Sequence, residues 1–158
     1  MIVYLDSNIY IDADYVFDRE EFLTLRDLMR KGKLEILYTI DTAGRVNEQI
    51  ETDIRRAAST YNRYLRKYMG PFRKNENYGI REISADAAVD DIQADFRKLL
   101  AEEGMVQIPL DPVSADRLIS DYYGGQPPFE NKRSLGFRDA IVINALRNYA
   151  RAKDLICV

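Results

Sequence analysis

Three acidic residues in this chain stand where a carboxylate could do chemistry, and the first of them is Asp6. It follows the apolar run Ile2–Leu5 and is followed at once by the hydroxyl of Ser7 and the amide of Asn8. In an open α/β sheet, ligands bind just outside the carboxyl ends of the strands, so Asp6 stands where such a sheet would place a site. Residues of these three types also turn a chain or cap a helix, and both interpretations stay open on these residues alone.

The other two acids are Glu48 and Asp139, each near the start of a predicted helix. Asp139 precedes the apolar run Ala140–Ile143, where a buried carboxylate is costly unless something pairs with it. Its alternative interpretation is a first-turn acid favoured by the helix dipole. Glu48 could equally face solvent, and Glu51, one turn later, competes with it for the same role.

All three acids are expected at one edge of a parallel sheet. Strand ends and the starts of the following helices meet at that edge in α/β proteins. Carboxylate and amide oxygens are the ligands that hard divalent cations such as Mg²⁺ and Mn²⁺ prefer. Acids gathered at one sheet edge are therefore compatible with a site for such a cation, with Glu51 still an alternative to Glu48.

The composition excludes several kinds of catalytic and metal site. The chain contains no histidine, which excludes Ser-His-Asp and Cys-His triads and the usual zinc ligand sets. Its single cysteine, Cys157, excludes an internal disulfide and fits a reducing cytosol. The net charge is −3, and no apolar run approaches the roughly 18 residues of a membrane span. With no signal peptide visible, we expect a cytoplasmic protein that does not enter a membrane.

The elements that must position these acids alternate between strand and helix. Strands are predicted at residues 2–5, 34–38, 105–110 and 155–158. Asp18 to Glu21 has the form of a capping box that starts a helix. Later helices are predicted over residues 41–69, from Ser84, from Asp111-Pro112, and over residues 137–151. The first strand, helix and second strand form a βαβ unit, so the sheet should be parallel and the 158 residues one α/β domain.

Several of these segments resemble the PIN domain: Leu5-Asp6-Ser7-Asn8, the helical Glu48, and Gly136–Val142. The lead-in 127–129, followed by Lys132-Arg133, is similar to a bacterial PIN-like subfamily. The resemblance implies a three-layer α/β/α fold around a parallel sheet of four, normally five, strands. It also implies a metal-dependent endoribonuclease in which Asp6, Glu48 and Asp139 bind Mg²⁺ or Mn²⁺. Ser7 and Asn8 would orient the ligands or a metal-bound water.

The sequence departs from the family at its end. PIN domains commonly carry a further aspartate after the fourth strand and then a fifth strand, whereas this sequence stops at Val158. It is either truncated after strand four, or active with three acids, or impaired, and Asp12 and Asp111 are substitutes to consider. Alternative functions are a non-catalytic module that binds nucleic acid or protein, and a DNA flap or single-strand nuclease. An antitoxin-like protein partner and a homodimer are also left open.

A basic and aromatic stretch runs from Arg55 to Lys74 without an acid. Arg55, Arg56 and Arg63, interleaved with Tyr61, Tyr64 and Tyr68, are typical of a surface that binds single-stranded RNA or DNA. The alternative is a solvated helix face opposite a core-facing stripe. Lys132 and Arg133 lie nearer the expected site and are the stronger candidates for holding a phosphate.

Overall fold

A central sheet of four parallel strands organises the molecule, which is a computed structural model. The strands are β1 (Ile2–Tyr4), β2 (Glu35–Tyr38), β3 (Met105–Gln107) and β4 (Leu155–Cys157). Their order across the sheet is β3-β2-β1-β4. The structure describes residues 1–73, 76–110, 114–126, 129, 136–150 and 155–158.

Helices connect and cover the strands. They are α1 (Ser7–Asp12), α2 (Glu20–Arg30), α3 (Ile40–Tyr68), α4 (Gly70–Arg73), α5 (Ala85–Leu100), α6 (Ala115–Gly124) and α7 (Phe137–Ala150), with a 3₁₀ turn at Glu76–Tyr78. The predicted long helix is confirmed as α3, and the helix expected at Ser84 is confirmed as α5. The Ser84 hydroxyl caps α5 by accepting a hydrogen bond from the Ala87 amide at 3.3 Å. Within the described residues, no helix combines the length and apolar character needed to cross a bilayer.

Of the helix starts predicted from capping motifs, the one at Asp18 needs correction. The capping box at Asp18 is wrong, because Arg19 is the residue that caps α2, and it makes no side-chain capping bond. The Arg19 carbonyl accepts the first helical hydrogen bond, from Leu23 at 3.0 Å. The predicted start at Asp111-Pro112 lies outside the described residues. Helix α6 begins after Ser114, whose hydroxyl accepts a hydrogen bond from the Arg117 amide.

Apolar side chains fill both faces of the sheet, which confirms the three-layer α/β/α fold. Val3 and Ile36 pack into one cluster together with residues of α1, α2, α3 and α5. Tyr4 and Leu37, the next residues along the same strands, pack on the other face against α7. Because successive side chains of a strand point to opposite faces, these continuous apolar runs bury both sides of the sheet.

The strand order also predicts where a ligand binds. From β1 the chain moves outward to β2 and then β3, but β4 returns to the other side of β1. The order therefore reverses between β1 and β4. A crevice opens at such a reversal beyond the carboxyl ends of the strands, and this is where open α/β sheets bind ligands. Asp6 follows β1 at this point.

Candidate functional site

A cleft of about 480 Å³ lies at the carboxyl ends of β1 and β4. Asp6, Asn8, Asp41, Arg45 and Asp139 contribute its charged and amide side chains. These residues come from the end of β1, the first turns of α1 and α7, and the first two turns of α3. Two of the acids predicted from the sequence, Asp6 and Asp139, therefore line one cleft at the predicted edge of the sheet.

Asp6 is held by its backbone, while its carboxylate makes few contacts. Its amide donates to the Val158 carbonyl at 2.9 Å, and the Val158 amide donates to the Tyr4 carbonyl at 2.9 Å. The carboxylate caps α1 by accepting a long hydrogen bond, 3.4 Å, from the Asn8 amide. Among the described residues, no cation forms an ion pair with Asp6. Asp6 is thus a helix cap, as one of its two interpretations expected, and it also lines the cleft.

Asp139 uses both carboxylate oxygens. It lies in the first turn of α7, and its Oδ2 accepts from the Gly136 amide at 3.0 Å. This is the reciprocal half of a capping box, in which a side chain in the first turn reaches back to the residue before the helix. Its Oδ1 accepts from Arg45 Nη2 at 2.5 Å. The Arg45 guanidinium is therefore the partner that the Asp139 carboxylate needs beside its apolar run.

Four residues form an ion-pair network between the first two turns of α3 and the first turn of α7. Arg45 Nε donates to Asp41 Oδ2 at 2.8 Å, while its Nη2 reaches Asp139. Arg138 Nε donates to the second oxygen of Asp41 at 2.7 Å. Partial burial lowers the pKa of Arg45, but hydrogen bonding to Asp139 and the charges of Asp139 and Asp41 outweigh it and raise that pKa. The network of Asp41, Arg45, Arg138 and Asp139 thus keeps Arg45 charged.

Buried hydroxyls tie this network to the sheet. The Tyr4 hydroxyl and the Thr42 Oγ1 lie 2.9 Å apart, and Thr42 in turn contacts the Thr39 hydroxyl at 2.9 Å. Thr39 is fully buried and caps α3 through the Thr42 amide at 3.1 Å. Burial raises the pKa of Tyr4, and the charges of Asp6 and Asp41 raise it further. Tyr4 therefore stays a neutral phenol that positions the start of α3 beside β1.

Glu48 lies elsewhere. Its side chain is exposed on α3 and is not among the residues that line the cleft. The rival Glu51 pairs with Arg55 at 3.0 Å on the exposed part of the same helix. Asp12 ends α1 and does not line the cleft either, and Asp111 lies outside the described residues. Ser7 is buried in the first turn of α1, whereas the exposed Asn8 lines the cleft.

Two charged residues that line the cleft, Asp41 and Arg45, were not predicted from the sequence. A signal for Asp41 was present, because it follows a strand and a Thr39 cap in the first turn of a helix, just as Asp139 lies in the first turn of α7. Arg45 lies one turn after Asp41, on the same face of the helix. Its long-range bond to Asp139 spans 94 residues and has no local signature.

The chemistry of the cleft fits a hard divalent cation, because its ligands are carboxylate and amide oxygens. The carboxylates, however, are not placed to hold an ion together. Asp41 and Asp139 are held by guanidinium groups, and within the described residues no three acidic, cysteine or histidine side chains come together closely enough to hold one ion. Asp6 alone among the three carboxylates of the cleft has no cationic partner in the described part of the chain.

The basic stretch on α3 divides into paired and unpaired cations. Arg55 bonds Glu51 and Asp86, and Arg56 bonds Asp53. Arg63 is exposed and has no acidic partner among the described residues, and Lys67 lies 5.0 Å from the ring of Tyr68. An open groove of about 530 Å³ runs beside both, lined by Ser59, Asn62, Arg63, Arg66 and Lys67.

The aromatic residues of that stretch are exposed too. Tyr64 and Tyr68 each keep 55% of their surface accessible, and their ring centroids are 5.1 Å apart. Leu65 between them is buried and faces the core. The core-facing stripe proposed as the alternative therefore exists, but the tyrosines at 64 and 68 lie outside it. Lys132 and Arg133, the candidates for a phosphate contact, fall outside the described residues.

Comparison with known proteins identifies one family. A family model described as the PIN domain matches residues 3–158, which is essentially the whole chain. No curated protein and no solved structure matches the chain.

Proposed function

Because the chain belongs to the PIN domain family, whose nuclease-type modules generally depend on a divalent metal, we propose that it is a metal-dependent endoribonuclease. Water would add to the phosphorus of an RNA phosphodiester, and one P–O bond to a sugar oxygen would break. The observation that carries the proposal is the position of Asp6 and Asp139. They line one cleft at the point where the strand order reverses.

Asp6 and Asp139 are the proposed ligands for Mg²⁺ or Mn²⁺. A bound ion would lower the pKa of a coordinated water and polarise the phosphate. Asp6 brings a carboxylate without a cationic partner among the described residues, and the Asn8 side chain lies in the same cleft, where it can orient a water. Tyr4 holds Thr42, and with it the start of α3, in place beside this cleft.

Asp41 is our proposal for the third ligand, in place of the Glu48 expected from the sequence. Asp41 lines the cleft and keeps only 12% of its side chain exposed, whereas Glu48 is exposed elsewhere on α3. Both residues lie on the helix that follows β2. We therefore assign the ligand role expected of Glu48 to Asp41, seven positions earlier.

The exposed face of α3 is the proposed contact for the RNA backbone. Arg63 lies eighteen residues, or five helical turns, beyond Arg45 and so on the same face, roughly 27 Å from the cleft. Arg63 and Lys67 would neutralise phosphates, and Tyr64 and Tyr68 offer rings on which bases can stack. Arg55 and Arg56 contribute less, since their charges are balanced by Glu51, Asp86 and Asp53. Lys132 and Arg133 remain proposed phosphate contacts from the sequence.

Cleavage of single-stranded RNA, single-stranded DNA and a flapped DNA duplex, each with Mn²⁺ and with a chelator, tests the proposal. We expect internal cuts in RNA that require Mn²⁺ or Mg²⁺ and stop when the metal is removed. Faster cutting of either DNA would assign the chain to the alternative DNA nuclease activity. RNA cleavage that survives the chelator would contradict a metal-dependent site.

The same assay tests the α3 surface through an Arg63→Gln, Lys67→Gln double variant. Loss of two phosphate contacts should raise KM with little change in kcat, and should reduce the salt slope of RNA binding by about 1.4. The control is Arg55→Gln, which removes a cation that is already paired on the same helix. Equal effects in the two proteins would remove Arg63 and Lys67 from the proposal.

A second candidate function is a non-catalytic module that binds nucleic acid or a protein, such as an antitoxin-like partner. One observation favours it: Asp41 and Asp139 already pair with arginines. Such a module should bind RNA without cutting it and take up no Mn²⁺ in the cleft. A cytoplasmic location and a homodimer are further expectations, which cell fractionation and light scattering would check.

A further inference from the structure

Among the described residues that line the cleft, the one cation is the Arg45 guanidinium. It spans from Asp41 on its own helix to Asp139 on α7, and it keeps 34% of its side chain exposed. Its donors therefore occupy oxygens that a divalent ion would need, while Asp6 lines the same cleft without a cationic partner among the described residues. A planar guanidinium binds carboxylates through fixed, directed donors and cannot lose its proton near neutral pH.

We propose that Arg45 acts as an internal cation that competes with a divalent metal for Asp139 and Asp41. The inference rests on the proposed metal site. Metal binding then requires the Arg45 side chain to leave these two carboxylates, and the two bonds it makes there set how readily the cleft takes up an ion. The affinity of the parent protein for Mn²⁺ is lower than its three cleft carboxylates would otherwise give.

The charge balance of the cleft supports this assignment. In the described part of the chain, Asp6, Asp41 and Asp139 carry three negative charges, and Arg45 and Arg138 place two positive charges against them. Arg138 binds from the rim, with 58% of its side chain exposed, and contacts Asp41 alone of the three. Arg45 is thus the residue whose removal would free an oxygen on two carboxylates at once.

Calorimetric titration of Mn²⁺ into the parent and into Arg45→Gln tests the proposal at low ionic strength. The variant should bind Mn²⁺ about tenfold or more tightly, because a positive charge next to the ion has been removed. Arg45→Lys keeps the charge but lacks the planar fork, so its affinity should fall between the two. The Mn²⁺-induced rise in Tm should follow the same order.

Arg55→Gln is the matched control. Arg55 lies on the same helix and also bridges two carboxylates, Glu51 one turn earlier and Asp86 on α5. Its loss should leave Mn²⁺ affinity at the parent value.

The proposal is overturned if folded Arg45→Gln binds Mn²⁺ no more tightly than the parent, or if neither binds it. If Arg45→Gln does not fold, parent-like affinity in Arg45→Lys overturns it instead. Cleavage is not read in this titration, so tighter Mn²⁺ binding by Arg45→Gln would support the role of Arg45 even if the protein cut no RNA. If the parent cuts RNA but Arg45→Gln binds Mn²⁺ with the parent's affinity, this inference fails while the proposed function stands.

Discussion

An Asp6→Asn variant is expected to lose at least ~100-fold in the rate of Mn²⁺-dependent RNA cleavage, because a ligand carboxylate contributes several kcal/mol to holding the ion and the developing charge. The fold should be unaffected. Asn caps a helix about as well as Asp, and the capping bond to Asn8 is long at 3.4 Å. The backbone bonds that fix residue 6 to β4 do not involve the side chain.

Single-turnover cleavage of a short RNA, with the Tm of each protein measured beside it, reads both parts of this prediction. Asp121→Asn is a suitable control, since that acid lies on α6 and does not line the cleft. An Asp6→Asn protein that cuts RNA at the parent rate would remove Asp6 from the catalytic site.

Asp41→Asn and Glu48→Gln are expected to separate the two candidates for the helical ligand. Asp41→Asn should lower cleavage by about 30-fold or more, because it removes a carboxylate from the cleft. Glu48→Gln should stay within about threefold of the parent, a change of less than about 1 kcal/mol in the activation barrier. The measurement is kcat/KM on one RNA substrate for both variants.

Loss of stability must be separated from loss of activity in this pair. Asp41 accepts bonds from Arg45 and Arg138, so its replacement should cost about 1 kcal/mol in the free energy of unfolding. Assays are therefore run well below the Tm of the weaker variant. The opposite pattern, with Glu48→Gln inactive and Asp41→Asn active, would restore the ligand expected from the sequence.

Much of the fold could be predicted from local patterns. The continuous apolar run at residues 2–5 and the long periodic stretch after residue 40 each correspond to an observed element, as does the Ser84 cap. Helix α1 was missed because Asp6-Ser7-Asn8 fits a turn as well as a cap, and a helix of six residues offers too little periodicity to decide. The capping box at Asp18 failed because the helix starts after Arg19.

The candidate site could be predicted only where an acid stands next to a recognisable strand or helix start. Asp6 and Asp139 meet that condition, and both line the cleft. Glu48 was chosen for its position near the start of a helix and for its resemblance to the helical acid of the PIN domain, but on α3 a shift of seven residues moves a side chain about 10 Å along the axis. The ion pair between Arg45 and Asp139 depends on how α7 packs beside α3. Tertiary packing of this kind leaves no local signal in the sequence.

The most direct test of the central claim is to locate Mn²⁺ in crystals of the parent protein by anomalous scattering. We predict one strong peak in the cleft, about 2 Å from carboxylate oxygens of Asp6 and Asp139, with the Arg45 side chain turned away from Asp139. Crystals soaked at millimolar Mn²⁺ that show no peak there, with Arg45 still bound to Asp139, would contradict a metal-dependent site in this cleft.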